Sequence, residues 1–114
     1  MKGIFIETPR FTQLLANYLS DEAYRELQQA LLECPEFGDV IPGAGGFRKL
    51  RWRDSRRGKG ARGGLRVIYH YLLADREFWM FTLYDKDEMT DLTAQDKRAL
   101  KSLIQAELAQ RKKQ

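Results

Sequence analysis

Arginine and lysine are the residues of this chain whose spacing could do chemistry. Nine of its 20 fall between Phe47 and Tyr71: Arg48, Lys49, Arg51, Arg53, Arg56, Arg57, Lys59, Arg62 and Arg66. One acid, Asp54, stands among them, so this stretch carries +8 while the rest of the chain sums to −4. Charge concentrated in this way suits a polyanion, most commonly a phosphodiester chain. Phe47 to Arg53 alternates like a strand, with Arg48, Leu50 and Trp52 on one face and Lys49, Arg51 and Arg53 on the other. A Gly- and Arg-rich loop follows from Asp54 to Gly64, and Leu65 to Leu73 is a second strand. Together they predict a long hairpin that holds cations at fixed positions on a pleated surface. A solvated strand face with a plain hairpin loop would show the same composition.

Such a surface could cleave RNA without a metal. The 2′-hydroxyl of RNA can attack the adjacent phosphate, and fixed cations can align that attack and stabilise the charge that develops. Arginine is a poor base, so the two proton transfers need another group. His70, the one histidine, has a suitable ordinary pKa, but it sits within a strand where a half-buried structural imidazole is equally at home. Asp85, Asp87, Glu88 and Asp91 could hold Mg²⁺, although acids ahead of a helix N-terminus explain them more simply. Gly58 to Gly63 reads G-x-G-x-x-G, yet it leads into a strand, and a dinucleotide site needs it to open a helix. The lone Cys34 has no histidine near it in sequence and reads as a structural thiol at a helix end.

The elements that must position these residues follow from pattern. Gly3 to Thr8 reads as a strand. Thr8-Pro9 and Ser20-Asp21-Glu22 are helix starts, and Phe11 to Leu32 reads as a helical hairpin that covers one face of a sheet. Glu36 to Gly46 is a Gly-rich connector, and Asp75-Arg76 a tight turn. Glu77 to Tyr84 is an almost wholly apolar strand, expected at the sheet centre and covered on both faces. Thr93 to Asp96 approximates a capping box, and the helix behind it ends in Arg111-Lys112-Lys113, expected as a solvated tail. The order is β-α-α-β-β-β-α. The last three strands form an antiparallel meander, the first joins the same sheet, and the whole is a small α+β fold. At 114 residues and 43 % apolar content, residues 1–114 are expected to form one domain with its own core. No apolar run reaches membrane-spanning length, and Glu7 comes too soon for a secretory signal. With one cysteine, this points to the cytoplasm and to no membrane partner.

GAGGFRKLRW, GKGARGGLRVIYHYLL and FWMFTLYDKDEMTDLT, together with the LSDEAYRELQ helix start, resemble the HigB branch of the RelE-like toxins of bacterial toxin–antitoxin pairs. The resemblance spans nearly the whole chain and implies a RelE-like fold. It also implies a metal-independent endoribonuclease that cuts mRNA in the ribosomal A site. Its implied partners are the ribosome, mRNA and a cognate antitoxin, a helix-turn-helix DNA-binding protein similar to HigA. Lys49 and Arg51 match the basic pair on the strand after the Gly-rich turn, Arg66 the arginine of an R-x-x-Y strand, and Lys86 a basic position after the last strand. Asp87 stands where a second cation is expected. A tyrosine of the following helix has no equivalent at Thr93 and Ala94, which leaves Tyr84 and His70 as candidates for proton transfer by proximity. Arg48, Arg53, Arg56, Arg57, Lys59 and Arg62 would grip RNA backbone. An RNA-binding module without catalysis, an inactive relative that binds only its antitoxin, and a metal-dependent nuclease are the alternatives.

Overall fold

The computed structural model describes residues 2–53, 64–88 and 92–112. They form β1 (Ile4–Glu7), α1 (Pro9–Tyr18), α2 (Asp21–Glu33), β2 (Asp39–Val40), β3 (Arg48–Trp52), β4 (Leu65–Leu72), β5 (Glu77–Asp85) and α3 (Ala94–Lys112). One sheet takes the order β1-β5-β4-β3-β2, with β1 parallel to β5 and every other pair antiparallel. The mixed α+β architecture and the meander are those expected. Two features differ. The connector contains β2, whose two residues are too few to show a period. The turn before β5 is a short 3₁₀ segment, Leu73–Asp75, closed by Arg76 at φ 53°.

Local signals fix the helix ends. Thr8 Oγ1 accepts from Phe11 N at 3.1 Å with Pro9 in the first turn, and Ser20 Oγ accepts from Ala23 N at 3.1 Å. Thr93 and Asp96 cap α3 reciprocally: Asp96 N donates to Thr93 Oγ1 at 3.0 Å, and Thr93 N to an Asp96 carboxylate oxygen at 2.9 Å. Each such cap contributes on the order of 1 kcal/mol. Cys34, expected as a structural thiol at a helix end, is the exposed C-cap of α2.

The sheet is buried on both sides. Phe11, Leu27 and Leu31 of the helical hairpin pack on Leu50, Val67, Tyr69, Phe78, Met80 and Leu83. On the other side Leu100 and Ile104 of α3, with Ile41, Ala44 and Phe47, cover Ile68, Leu72 and Tyr84. β5 sits between β1 and β4 and contributes to both clusters, as its continuous apolar sequence predicts. Arg111 is no solvated tail. Its guanidinium meets Asp75 and Glu77 at 2.6 Å each and Glu107 at 2.9 Å, and lies over the Trp79 ring, so the end of α3 is fastened to the β4–β5 turn.

The buried Tyr69 hydroxyl links the sheet to the connector. It accepts from Gly38 N at 2.9 Å and donates to Pro35 O at 2.8 Å. Burial pushes this phenol above its ordinary value, which keeps the donating proton in place. Tyr69→Phe would leave both backbone groups short of a partner. It is expected to cost about 1–3 kcal/mol, read as a lower urea midpoint with an unchanged slope.

Candidate nucleic-acid interface

Strand register decides which side chains meet. Arg51, Arg66 and Tyr84 stand directly opposite one another on β3, β4 and β5, and Lys49, Ile68 and Thr82 form the neighbouring row. Directly opposed Cβ atoms lie about 5 Å apart, so these side chains are neighbours on one face of the sheet, with Ile68, Thr82 and Tyr84 buried there. Asp39 of β2 extends the second row opposite Lys49. Arg51 is exposed, Lys49 and Arg66 are half-buried, and Tyr84 is buried at its inner end.

A β-bulge brings Tyr84 into this row. Ile68 pairs with Thr82 but Tyr69 pairs with Met80, so Phe81 is an extra residue in β5. Before it, Phe78 and Met80 face the helical hairpin while Trp79 faces α3. Unbroken alternation would send Tyr84 to the hairpin side with Phe78 and Met80. The extra residue shifts the phase, so Leu83 joins the hairpin core and Tyr84 shares the face of Arg66. Nothing in the near-uniform apolar run EFWMFTLY signals this bulge in advance.

Arg51 and Arg66 are like charges at opposed positions, an arrangement that opposes folding. Among the described residues neither pairs with a carboxylate; Arg66 donates only to its neighbour's carbonyl, Leu65 O, at 3.3 Å. Lys86 is exposed in the turn two residues beyond Tyr84. That turn is held by Asp85, which is fully buried and accepts from Asp87 N at 2.8 Å, so this carboxylate serves as a turn cap. Beyond Tyr84 a groove of about 390 Å³ runs between α1 and α3, lined by Arg10, Tyr18, Glu88 and Asp96 among others.

Other candidates lie elsewhere. His70 is four residues along β4 from Arg66, about 13 Å at strand rise. Its Nε2 lies 3.1 Å from Gly45 O, and its ring meets Phe47 edge-on at 5.0 Å. Burial pushes its pKa below the ordinary value, against the hydrogen bond to Gly45. A Cβ on Gly46, whose φ is +97°, would come within 2.8 Å of His70 Nε2. His70 therefore braces the Gly-rich connector and is not brought to the cationic row. Arg48 points to the Tyr69 side of the sheet and donates to Gly38 O at 2.8 Å, with Glu36 at 3.8 Å. Arg53 lies over Trp52 at 5.3 Å and pairs with Glu26 at 3.7 Å. Arg56, Arg57, Lys59, Arg62, Asp91 and the G-x-G-x-x-G segment fall outside the described residues.

No protein-family model matches the chain. Among solved structures it is similar to an arginine-to-alanine double mutant of the E. coli toxin RelE in the free state. The TM-score is 0.55 and the identity 15 %, over 78 % of this chain and 88 % of that one. The fold is RelE-like. At that identity the likeness is one of fold, and the cationic row is a property of this chain's own register.

Repulsion between Arg51 and Arg66 has a measurable consequence. Arg51→Gln keeps an unbranched polar side chain, though a shorter one, and removes one charge. It is expected to hold or raise stability by up to about 1 kcal/mol at low salt, with the gain shrinking as salt screens the pair. Urea midpoints at two ionic strengths check this, and a loss of stability at low salt would count against it.

Proposed function

We propose that this chain is the toxin of a toxin–antitoxin pair, of the HigB kind, and that it cleaves mRNA on the ribosome without a metal. The RelE-like fold supports the class. Arg51 and Arg66, with Lys49 beside them, carry the chemistry, because the two guanidinium groups stand on paired strands, meet no carboxylate among the described residues and are placed to bind a phosphate. The 2′-oxygen attacks the adjacent phosphorus and the 5′-oxygen of the next nucleotide leaves, giving a cyclic phosphate and a free 5′-hydroxyl. One proton leaves the attacking hydroxyl and one reaches the departing oxygen. Arg66 and Lys86 stabilise the charge on the phosphorane, and Lys49 and Arg51 orient the scissile phosphate. The Tyr84 hydroxyl is buried behind the row and His70 lies about 13 Å from Arg66, so the two proton transfers fall to Lys49, an RNA atom or water. Arg53, Arg56, Arg57, Lys59 and Arg62 add contacts to the RNA backbone. The partners are the ribosome with its mRNA and a HigA-like helix-turn-helix antitoxin, met in the cytoplasm.

Induced expression is expected to arrest growth and to create new 5′ ends within translated codons, read by primer extension. Arg66→Ala should lower cleavage on the order of 100-fold, the scale of one fixed contact to a developing charge. Arg53→Ala, which removes a screened outer cation, should cost far less. Growth arrest without new 5′ ends would support binding without catalysis, and unaffected growth would refute the toxin reading.

A further inference from the structure

At the outer end of the cationic row lies a feature that phosphate chemistry does not use. Phe37 and Asp39 line a shallow recess of about 160 Å³ with Lys49, Leu50 and Arg51. Phe37 is 50 % exposed and is the one aromatic among the large apolar side chains exposed in the described residues. A single exposed apolar residue is ordinary, but this one is held in place. Its own N–H donates to Cys34 O at 3.0 Å. On either side of it the buried Tyr69 hydroxyl grips Gly38 N and Pro35 O, and the Arg48 guanidinium grips Gly38 O. The ring is thus an aromatic plate on a clamped turn, so little order remains to be imposed when a flat ligand stacks on it. Asp39, two residues on, lines the same recess and stands opposite Lys49.

We propose that Phe37 and Asp39 form a base-recognition subsite for single-stranded RNA. A nucleobase stacks on Phe37 while Lys49 and Arg51 hold its flanking phosphates, the pairing of aromatic plate and cations that single-strand binders use. The Asp39 carboxylate only accepts hydrogen bonds, so it selects a base edge that donates. Guanine presents two adjacent donors on its Watson–Crick edge. Adenine and cytosine present one donor beside an acceptor. Uracil flanks its one donor with two carbonyls that repel a carboxylate. The subsite therefore prefers guanine and disfavours uracil. This rests on the RNA reading above, but it concerns recognition and not cleavage.

The test measures binding and cutting separately. Purified full-length protein is titrated with single-stranded RNA hexamers carrying one kind of base, and with an abasic hexamer of the same backbone, followed by NMR shifts and anisotropy. Wild type should bind the guanine hexamer at least fivefold more tightly than the abasic one, the lower end of the about 1–3 kcal/mol that stacking one base contributes. Phe37→Ala and Phe37→Leu should erase that difference and leave abasic affinity unchanged. Asp39→Asn should keep the stacking gain and flatten the order of bases, whereas Arg51→Ala should weaken all hexamers together. Equal affinity of wild type for guanine and abasic hexamers, or an undiminished difference in both Phe37 variants, overturns the subsite. Base-dependent binding by a protein that makes no cuts on translating ribosomes would leave the subsite standing and remove the nuclease.

Discussion

The register between β4 and β5 is the constraint on which the site depends. Side chains alternate strictly along a strand, so any one-residue change of phase moves a group through the sheet to its other face. Phe81 supplies that change, and with it Tyr84 leaves the hairpin core and comes to lie opposite Arg66. The separate register of β3 on β4 aligns Arg51 with Arg66 across the next gap. A row drawn from three strands is stiffer than one drawn from a loop, since Arg66 is paired on both sides and Arg51 and Tyr84 are each paired to β4. This rigidity matters because guanidinium groups held near each other repel. On a flexible segment they would move apart, and the field available to an anion would fall with them.

The layers on either side explain how the sheet sustains that repulsion. Its centre is packed by α1 and α2 on one face and by α3 on the other, so the strands that bear the row are anchored by apolar burial and not by the row itself. Two devices pin the surrounding chain. The Arg111 cluster fastens the far end of α3 across the β4–β5 turn, and the Tyr69 hydroxyl fastens the connector to β4. His70 completes this second anchor through Gly45 and Phe47. A histidine that seemed a candidate for proton transfer instead supports the loop that leads into the cationic strand.

Much of this was legible in the sequence, and the limits have physical causes. Helix starts could be read because Thr8, Ser20 and Thr93 act through local hydrogen bonds, which depend only on near neighbours. The division of β3 into a cationic face and an inner face could be read from its alternation, and Arg48 indeed turns away from Lys49 and Arg51. Alternation does not say which side of a strand will stay open, nor which cation will find a carbonyl or a carboxylate. Arg48, Arg53 and Arg111 are alike in sequence to the cations of the row, yet each is engaged by a residue distant in the chain. The bulge and the two-residue β2 were hidden for a related reason: both arise from pairing between strands, of which a single strand's composition carries no trace.

The direction of the row also bears on how RNA would lie. Residues related by register run across the strands, not along them, so a phosphate chain that follows the cations crosses the sheet from β2 toward β5. From the Phe37 recess beside β3 to Arg66 on β4 is roughly two strand spacings, about 10 Å, which one or two nucleotides can span. A base stacked on Phe37 would then fix which phosphate reaches Arg66. Recognition at one end of the row and charge stabilisation at its middle would thus be coupled by spacing alone. A change that slips β3 against β4 would disturb both at once, even if every side chain were retained.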